Sequence, residues 1–200
     1  MGTYTIPKGS NFKKYVISKT NHTDDFGTKD VIKVANTSGN ERFYVMALDD
    51  VTSSSHCWYY SADKYGISDY LSTTSTAFGR GEQNTRNMIA KWNGSQYGSQ
   101  NGNSSYTDMW GLSTVQSKIN SMPAWYVPSR EEWATFGGEL GITSENYGNM
   151  SLRNIYWSSS IANEWATWGA TYHTSNITGC NMVQWNPSKE NVWVRLGTTF

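Results

Sequence analysis

Tyr156-Trp157-Ser158-Ser159-Ser160, near the C-terminus, is the stretch around which the rest of the chain can be read. Tyr and Trp favour a pleated, half-buried surface, so it reads as a short core strand. Val192-Trp193-Val194-Arg195-Leu196 reads as a second one by the same preference. Between them the chain changes character. Gly169 to Asn181 carries no charged residue and consists of small polar residues with a few aromatics, a composition suited to contact surfaces rather than to acid–base chemistry.

Working back from that strand, Val127-Pro128-Ser129-Arg130-Glu131-Glu132-Trp133 is the clearest helix start. Ser129 with Glu132 three residues on forms a capping box. Trp133, Phe136 and Leu140 then recur on one helix face, and Gly141 supplies the stop. Further back, Asn84 reads as the cap of a helix over Thr85 to Trp92, whose Met88, Ile89 and Trp92 share a face. Asp108 to Met122 has helical spacing at Leu112, Val115 and Ile119, ended by Pro123. Arg42 to Leu48 reads as the first strand of the main domain. Lys14 to Ser18 and Lys29 to Val34 are shorter strand candidates in a polar N-terminal segment. Helices set between an early strand and late strands predict an α+β class with a small twisted antiparallel sheet, two packed helices and long loops. The expected division is a strand-rich segment or arm over 1–40 and a domain over 41–200, with a binding region at about 156–200.

The 200 residues suffice for one domain with a real core. Sixteen basic and sixteen acidic residues give a formal net charge of +0. The electrostatic footprint of a nucleic-acid binder is missing, so no nucleic-acid partner is expected. No run reaches the length of a membrane span, and Met1 to Lys14 lacks the apolar core of a signal peptide. No membrane insertion is expected. The 10 Trp and 13 Tyr serve cores and interfaces alike.

Val127 to Trp133, Tyr156 to Ser160 and Val194-Arg195-Leu196 together resemble the C-type lectin fold over roughly Arg42 to Phe200. More narrowly they resemble the branch holding formylglycine-generating-enzyme-like domains and the variable proteins of diversity-generating retroelements, the major tropism determinant type. The second group implies a phage-tail or cell-surface protein whose C-terminal region is diversified by error-prone copying at adenines. Residues reached from Asn-type codons exclude Trp, Met, Gln, Glu and Lys, and Gly169 to Asn181 contains none of these. Trp157, Trp168, Trp185 and Trp193 would stand as fixed posts. Ser/Thr/Asn/Gly loops are common on any surface, so a fixed-specificity lectin-like or formylglycine-generating-enzyme-like domain and a structural tail or adhesin subunit stay open beside this reading.

Strand alternation gives the expected contact face. With Trp168, Ala170 and Tyr172 inward, Gly169, Thr171 and His173 point outward. The loop Ile161-Ala162-Asn163 with Trp165 joins them, and a return brings Asn176, Thr178 and Asn181 alongside, with Trp185 and Trp193 at or beside the cluster. The expected partner is a protein or glycan on a target surface, with oligomerisation a possible source of avidity.

Catalysis is not expected. The formylglycine-generating branch uses two cysteines in its C-terminal part, whereas Cys57 lies early and Cys180 reads as a surface thiol. The pair implies no disulfide framework, and partly buried free thiols are the plainer expectation. A calcium-dependent sugar site would need Glu-Pro-Asn or Gln-Pro-Asp, and neither occurs. Trp185-Asn186-Pro187 lacks the Asp of the companion motif, and Glu164 and Glu190 are the only carboxylates from Tyr156 onward, too few for calcium. His22, His56 and His173 show no ligand spacing; His22 and His56 read as solvated. Gly79-Arg80-Gly81 is no phosphate loop. Asp49-Asp50 and Asp24-Asp25 are adjacent carboxylates that strand geometry would point apart. No metal or cofactor is expected.

Overall fold

The computed structural model describes residues 42–47, 49–59, 71–94, 108–139, 141–172 and 179–199, with strand segments at 15–16, 23–24, 27–28 and 32–34. The class is α+β. β1 (Tyr15–Val16) and β4 (Ile32–Val34) pair antiparallel with β5 (Arg42–Met46), and β2 (Thr23–Asp24) pairs with β3 (Gly27–Thr28). Two pieces of the 1–40 segment therefore share a sheet with β5. The other edge of β5 takes β10 (Gly197–Thr199), which pairs in turn with β6 (Trp125–Tyr126). The start of the 41–200 region is thus hydrogen-bonded to its end.

A second sheet runs β7 (Ile155–Asn163), β8 (Ala166–Thr171), β9 (Asn181–Trp185), all antiparallel. Among the described residues three α-helices pack around the sheets: α1 (Gly81–Trp92), the short α2 (Ser113–Lys118) and α3 (Arg130–Glu139). Two were expected. The pattern over Asp108 to Met122 divides because Leu112 is extended (φ −63°, ψ 125°). A 3-10 turn at Met109–Gly111 precedes it and α2 follows, while Leu112, Val115 and Ile119 are all buried.

β7 separates two apolar cores, as the alternation of a strand dictates. Tyr156 faces Trp133, Phe136, Ala170 and Tyr172; its ring stacks on Trp133 at 5.0 Å. Trp157 faces Trp58, Met88, Trp110 and Val194. Trp133 and Trp157 are both 0 % exposed, as their motifs lead one to expect.

The capping box at α3 forms. Glu132 Oε2 accepts from the Ser129 N–H at 2.6 Å, and Ser129 Oγ accepts from the Glu132 N–H. The same Oε2 also accepts from the Gly81 N–H at 3.1 Å, so one buried carboxylate caps two helices. This explains why α1 starts at Gly81 and not after Asn84. Its first N–H is capped from another helix, which frees Asn84 to lie inside, buried, bonded to the Ser75 backbone and to Ser159 Oγ. Gly141 ends the α3 region in the left-handed conformation (φ 62°), as expected of a C-terminal glycine; Leu140 lies outside the described residues. Within α3, Gly137 sits against the chain at Gly179–Cys180, where a Cβ would come within 2.8 Å of the Cys180 nitrogen.

Val192–Leu196 is not a regular strand. Its carbonyls accept from scattered partners: His56 to Val192, Trp157 to Trp193, Val51 to Val194 and Ala47 to Leu196. The residues are β-favouring and mostly buried, but Ala47, Val51 and His56 come from an irregular segment and β7 meets the run only in an isolated bridge, so no ladder propagates.

Candidate functional site

The first half of β7 is a stitched scaffold. Buried Trp indoles each donate to a backbone carbonyl: Trp58 to Ser158 (2.9 Å), Trp133 to Trp157 (3.0 Å) and Trp157 to His56 (2.7 Å). Ser158, Ser159 and Ser160 are 0 % exposed, and each hydroxyl is used. Ser158 donates to the Trp168 carbonyl and Ser160 to the Ser75 carbonyl, while Ser159 accepts from Asn84. The N–H of Arg130, at the start of α3, also donates to Ser160 Oγ. A polar seam whose members are bonded rigidifies a core.

The second half of β7 leaves the core at a hairpin. Asn163 is exposed, its Oδ1 accepts from the Trp165 N–H, and its Nδ2 donates to Gln184 on β9 at 3.0 Å. Trp165 at the hairpin tip is 64 % exposed and Val183 on β9 is 36 % exposed. Register places Thr167 opposite Ile161 on one side and Trp185 on the other, so the half-buried Trp185 lies at the hairpin end of the sheet. Asn163, Trp165 and Gln184 form the candidate binding face, while Val183 and Trp185 alternate to the opposite side of β9.

Several expected contact residues fall elsewhere. Ile161, Gly169 and Thr171 are buried. β8 is the central strand and both of its faces are covered: Ala170 and Tyr172 pack with the α3 core, and Trp185 folds over Gly169, where a Cβ would meet its ring at 2.8 Å. Alternation therefore separates two buried sets rather than an inner from an outer one. Ala162 and Asn181 are half-buried. Trp193 is half-buried beside Tyr156, at the far end of β7 from Trp165, roughly 25 Å away by strand rise. The expected single cluster is thus divided between two ends. His173, Asn176 and Thr178 lie outside the described residues. Gln184 was missed because the expected return covered only Asn176 to Asn181.

The far end of β7 holds a group that sequence reasoning passed over. Asp50 Oδ1 accepts from Arg195 Nε and Nη2 (2.9 and 2.7 Å) and from the Tyr156 hydroxyl (2.9 Å). Arg195 is 1 % exposed, so this is a buried ion pair. An Arg between Val194 and Leu196 in a core run was the available signal, since a buried guanidinium requires a partner. The pair floors a cleft of about 1030 Å³ between residues 49–53 and 147–154.

Both thiols are free and buried. Burial pushes the Cys57 thiol up to about 11, helped by Asp108 and Glu190, and it pushes Cys180 up to about 12. Cys180 is therefore no surface thiol: it packs with the α3 core and its Sγ reaches the Trp133 carbonyl. His56 is half-buried, its Nε2 lying 2.6 Å from Thr52 Oγ1, so it is not a solvated loop residue; His22 lies outside the described residues. Among the described residues no three His, Cys, Asp or Glu side chains gather as a metal site, and no helix is long and apolar enough to cross a membrane. Comparison with protein-family models, with curated proteins and with solved structures gives no match to this chain.

Proposed function

We propose that this protein is a C-type-lectin-like ligand-binding protein that presents the β7–β8 hairpin tip and strand β9 to a protein or glycan target. The carrying observation is Trp165, 64 % exposed at the tip of a hairpin whose base is stitched into the core. Exposing so large an apolar side chain forgoes burial worth about 1.5–3 kcal/mol, and Trp is the residue type most enriched among interface anchors. The Asn163–Gln184 pair beside the tip supplies polar groups around it, the arrangement of a small interface with a polar rim. The protein acts by binding rather than by covalent chemistry. Its thiols are buried and protonated, without the thiolate that nucleophilic or oxidative cysteine chemistry needs.

The same patch fits the diversified-receptor reading, with a phage tail or cell surface as its setting. Asn163 and Asn181 are of the type from which adenine-directed copying starts, and Trp165 and Trp185, with no adenine in their codon, would be fixed anchors. The buried Ile161, Gly169 and Thr171 drop out of the variable set. Sequencing the surrounding locus tests this. A reverse-transcriptase gene and a near-copy of the coding stretch for 156–200, differing at adenines, is the expected result. An isolated gene without such a copy leaves a fixed-specificity binder. The binding face itself is tested by probing protein and glycan arrays with the wild type and Trp165→Ala: loss of target binding is expected, and unchanged binding rejects the face.

A further inference from the structure

We propose that the cleft floored by Asp50 and Arg195 is a second binding site for a small zwitterion of the amino-acid or short-peptide type. The ligand's carboxylate meets Arg195 and Arg153, and its ammonium meets Asp49. The cleft lies at the opposite end of β7 from Trp165 and does not rest on the hairpin reading. Its volume of about 1030 Å³ is at the upper end of the ~300–1,000 Å³ typical of small-molecule pockets, which leaves room for more than one amino-acid residue.

The floor presents a fixed cation. Arg195 is 1 % exposed. Its Nε and Nη2 are taken by Asp50, and Nη2 also donates to the Ser151 carbonyl at 2.6 Å. A guanidinium carries five N–H donors in a rigid fork, so the two on Nη1 are unused. Nη1 has no partner among the described residues and is not one of the atoms sealed from solvent, and Arg195 lines the cleft. A buried cation therefore turns its one open edge into the cleft. Ser151 has φ 58°, a left-handed conformation uncommon for a residue other than Gly, and such a conformation persists where surrounding contacts over-determine it. The ion pair thus fixes the wall at 147–154 to the floor.

The charges above the floor select the ligand. Arg153 rests over Trp193 at 4.6 Å and brings only its Nε toward Asp50 Oδ2, at 3.4 Å, so its terminal nitrogens are further donors. Asp49 lines the cleft, is exposed and carries no hydrogen bond among the described residues. A ligand that fills the cleft takes water from Asp49 and Arg153 together, and a charge dried without an opposite charge is costly. An anion serves Arg153 and strands Asp49; a cation does the reverse. An uncharged ligand replaces the water of both with hydrogen bonds weaker than those between two charged groups. A ligand bearing both charges pairs both. Tyr147, held by stacking on the buried Tyr172 with ring planes 14° apart, and Leu152 add an apolar wall for the ligand's side chain.

The test is calorimetry on the full chain with phenylalanine, phenylalanylglycine and phenylalanylglycylglycine as probes. Each probe is repeated with its amine acetylated, with its carboxylate amidated and with both ends blocked, and maltose is the uncharged control. At least one free zwitterion is expected to bind, and blocking either of its ends should weaken it about tenfold or more. Asp49→Asn should weaken the free probe and leave the acetylated one unaffected; Arg153→Gln should weaken the free probe and leave the amidated one unaffected. Both side chains are exposed, and a melt checks folding. Should either variant fail to fold, Gly148→Trp replaces it, filling the cleft from a position where a Cβ meets nothing within 4 Å; it should abolish binding. The site is rejected if no free zwitterion binds, if maltose or a blocked probe binds as tightly, or if binding survives the folded variants.

Discussion

β7 is one strand with two careers. From Tyr156 to Ser160 every side chain is buried, its backbone carbonyls accept from the indole N–H groups of Trp58 and Trp133, and the Ser160 hydroxyl accepts from the Arg130 N–H at the start of α3. From Ala162 onward the side chains reach solvent, ending in an exposed Trp165. Local propensity separates the halves only at Asn163-Glu164, which disfavour strand; aromatic residues occur in both. The difference lies in what covers them. The first half lies between two cores and the N-termini of α1 and α3, while the hairpin tip extends past them. An exposed hairpin tip is thereby joined to a buried base.

The largest effects belong to the buried half. Trp157→Ala removes a side chain from the α1 core together with its bond to the His56 carbonyl, and should cost about 3–5 kcal/mol in a denaturant melt. A stability near that of the wild type would show that this half is not the scaffold. Arg195→Met leaves Asp50 beside Tyr156 with only the exposed Arg153, 3.4 Å away, as its cation, and breaking one partner of a buried pair costs up to about 3–5 kcal/mol. The double variant with Asp50→Asn should recover part of that loss; equal destabilisation of single and double variants would mean that the pair is not coupled.

A pH effect of intermediate size comes from Glu132, the carboxylate that caps both helices. Burial raises its pKa from 4.5 to about 7, against the lowering influence of the Ser129 and Gly81 N–H groups. The folded protein therefore holds a proton that the unfolded chain has released. This contribution to stability is fully present below about pH 4.5 and is lost as pH rises toward 7. The change is on the order of 3 kcal/mol. In Glu132→Gln that pH dependence should vanish while the helices remain capped; an identical slope in the variant would place the titrating group elsewhere.

The scaffold was legible where its causes are local. The Ser129–Glu132 box, the helix face of Trp133 and Phe136, and the strand at Tyr156 all follow from spacing along a few residues. The site was less legible because its causes are distant. Thr171 and Gly169 are buried by Trp185 and the two cores, which alternation along β8 alone cannot reveal. The path of Val192–Leu196 is set by Ala47, Val51 and His56, more than a hundred residues away in sequence. Asp50 acquires its role only when Arg195 arrives from the far end of the chain. Asn84 is a good cap by residue type, but a carboxylate on another helix displaced it from that task.

The smallest stability effect is also the one on which the account turns. Asn163→Ala, Trp165→Ala and Gln184→Ala each alter exposed or rim positions, where substitutions stay within about 0.5 kcal/mol. The most direct measurement pairs a denaturant melt of the threefold variant with its binding to a target recovered with the wild type. Near wild-type stability with binding lost is the predicted result. Unfolding of the variant, or binding retained at full strength, would contradict a display face carried on an independent scaffold.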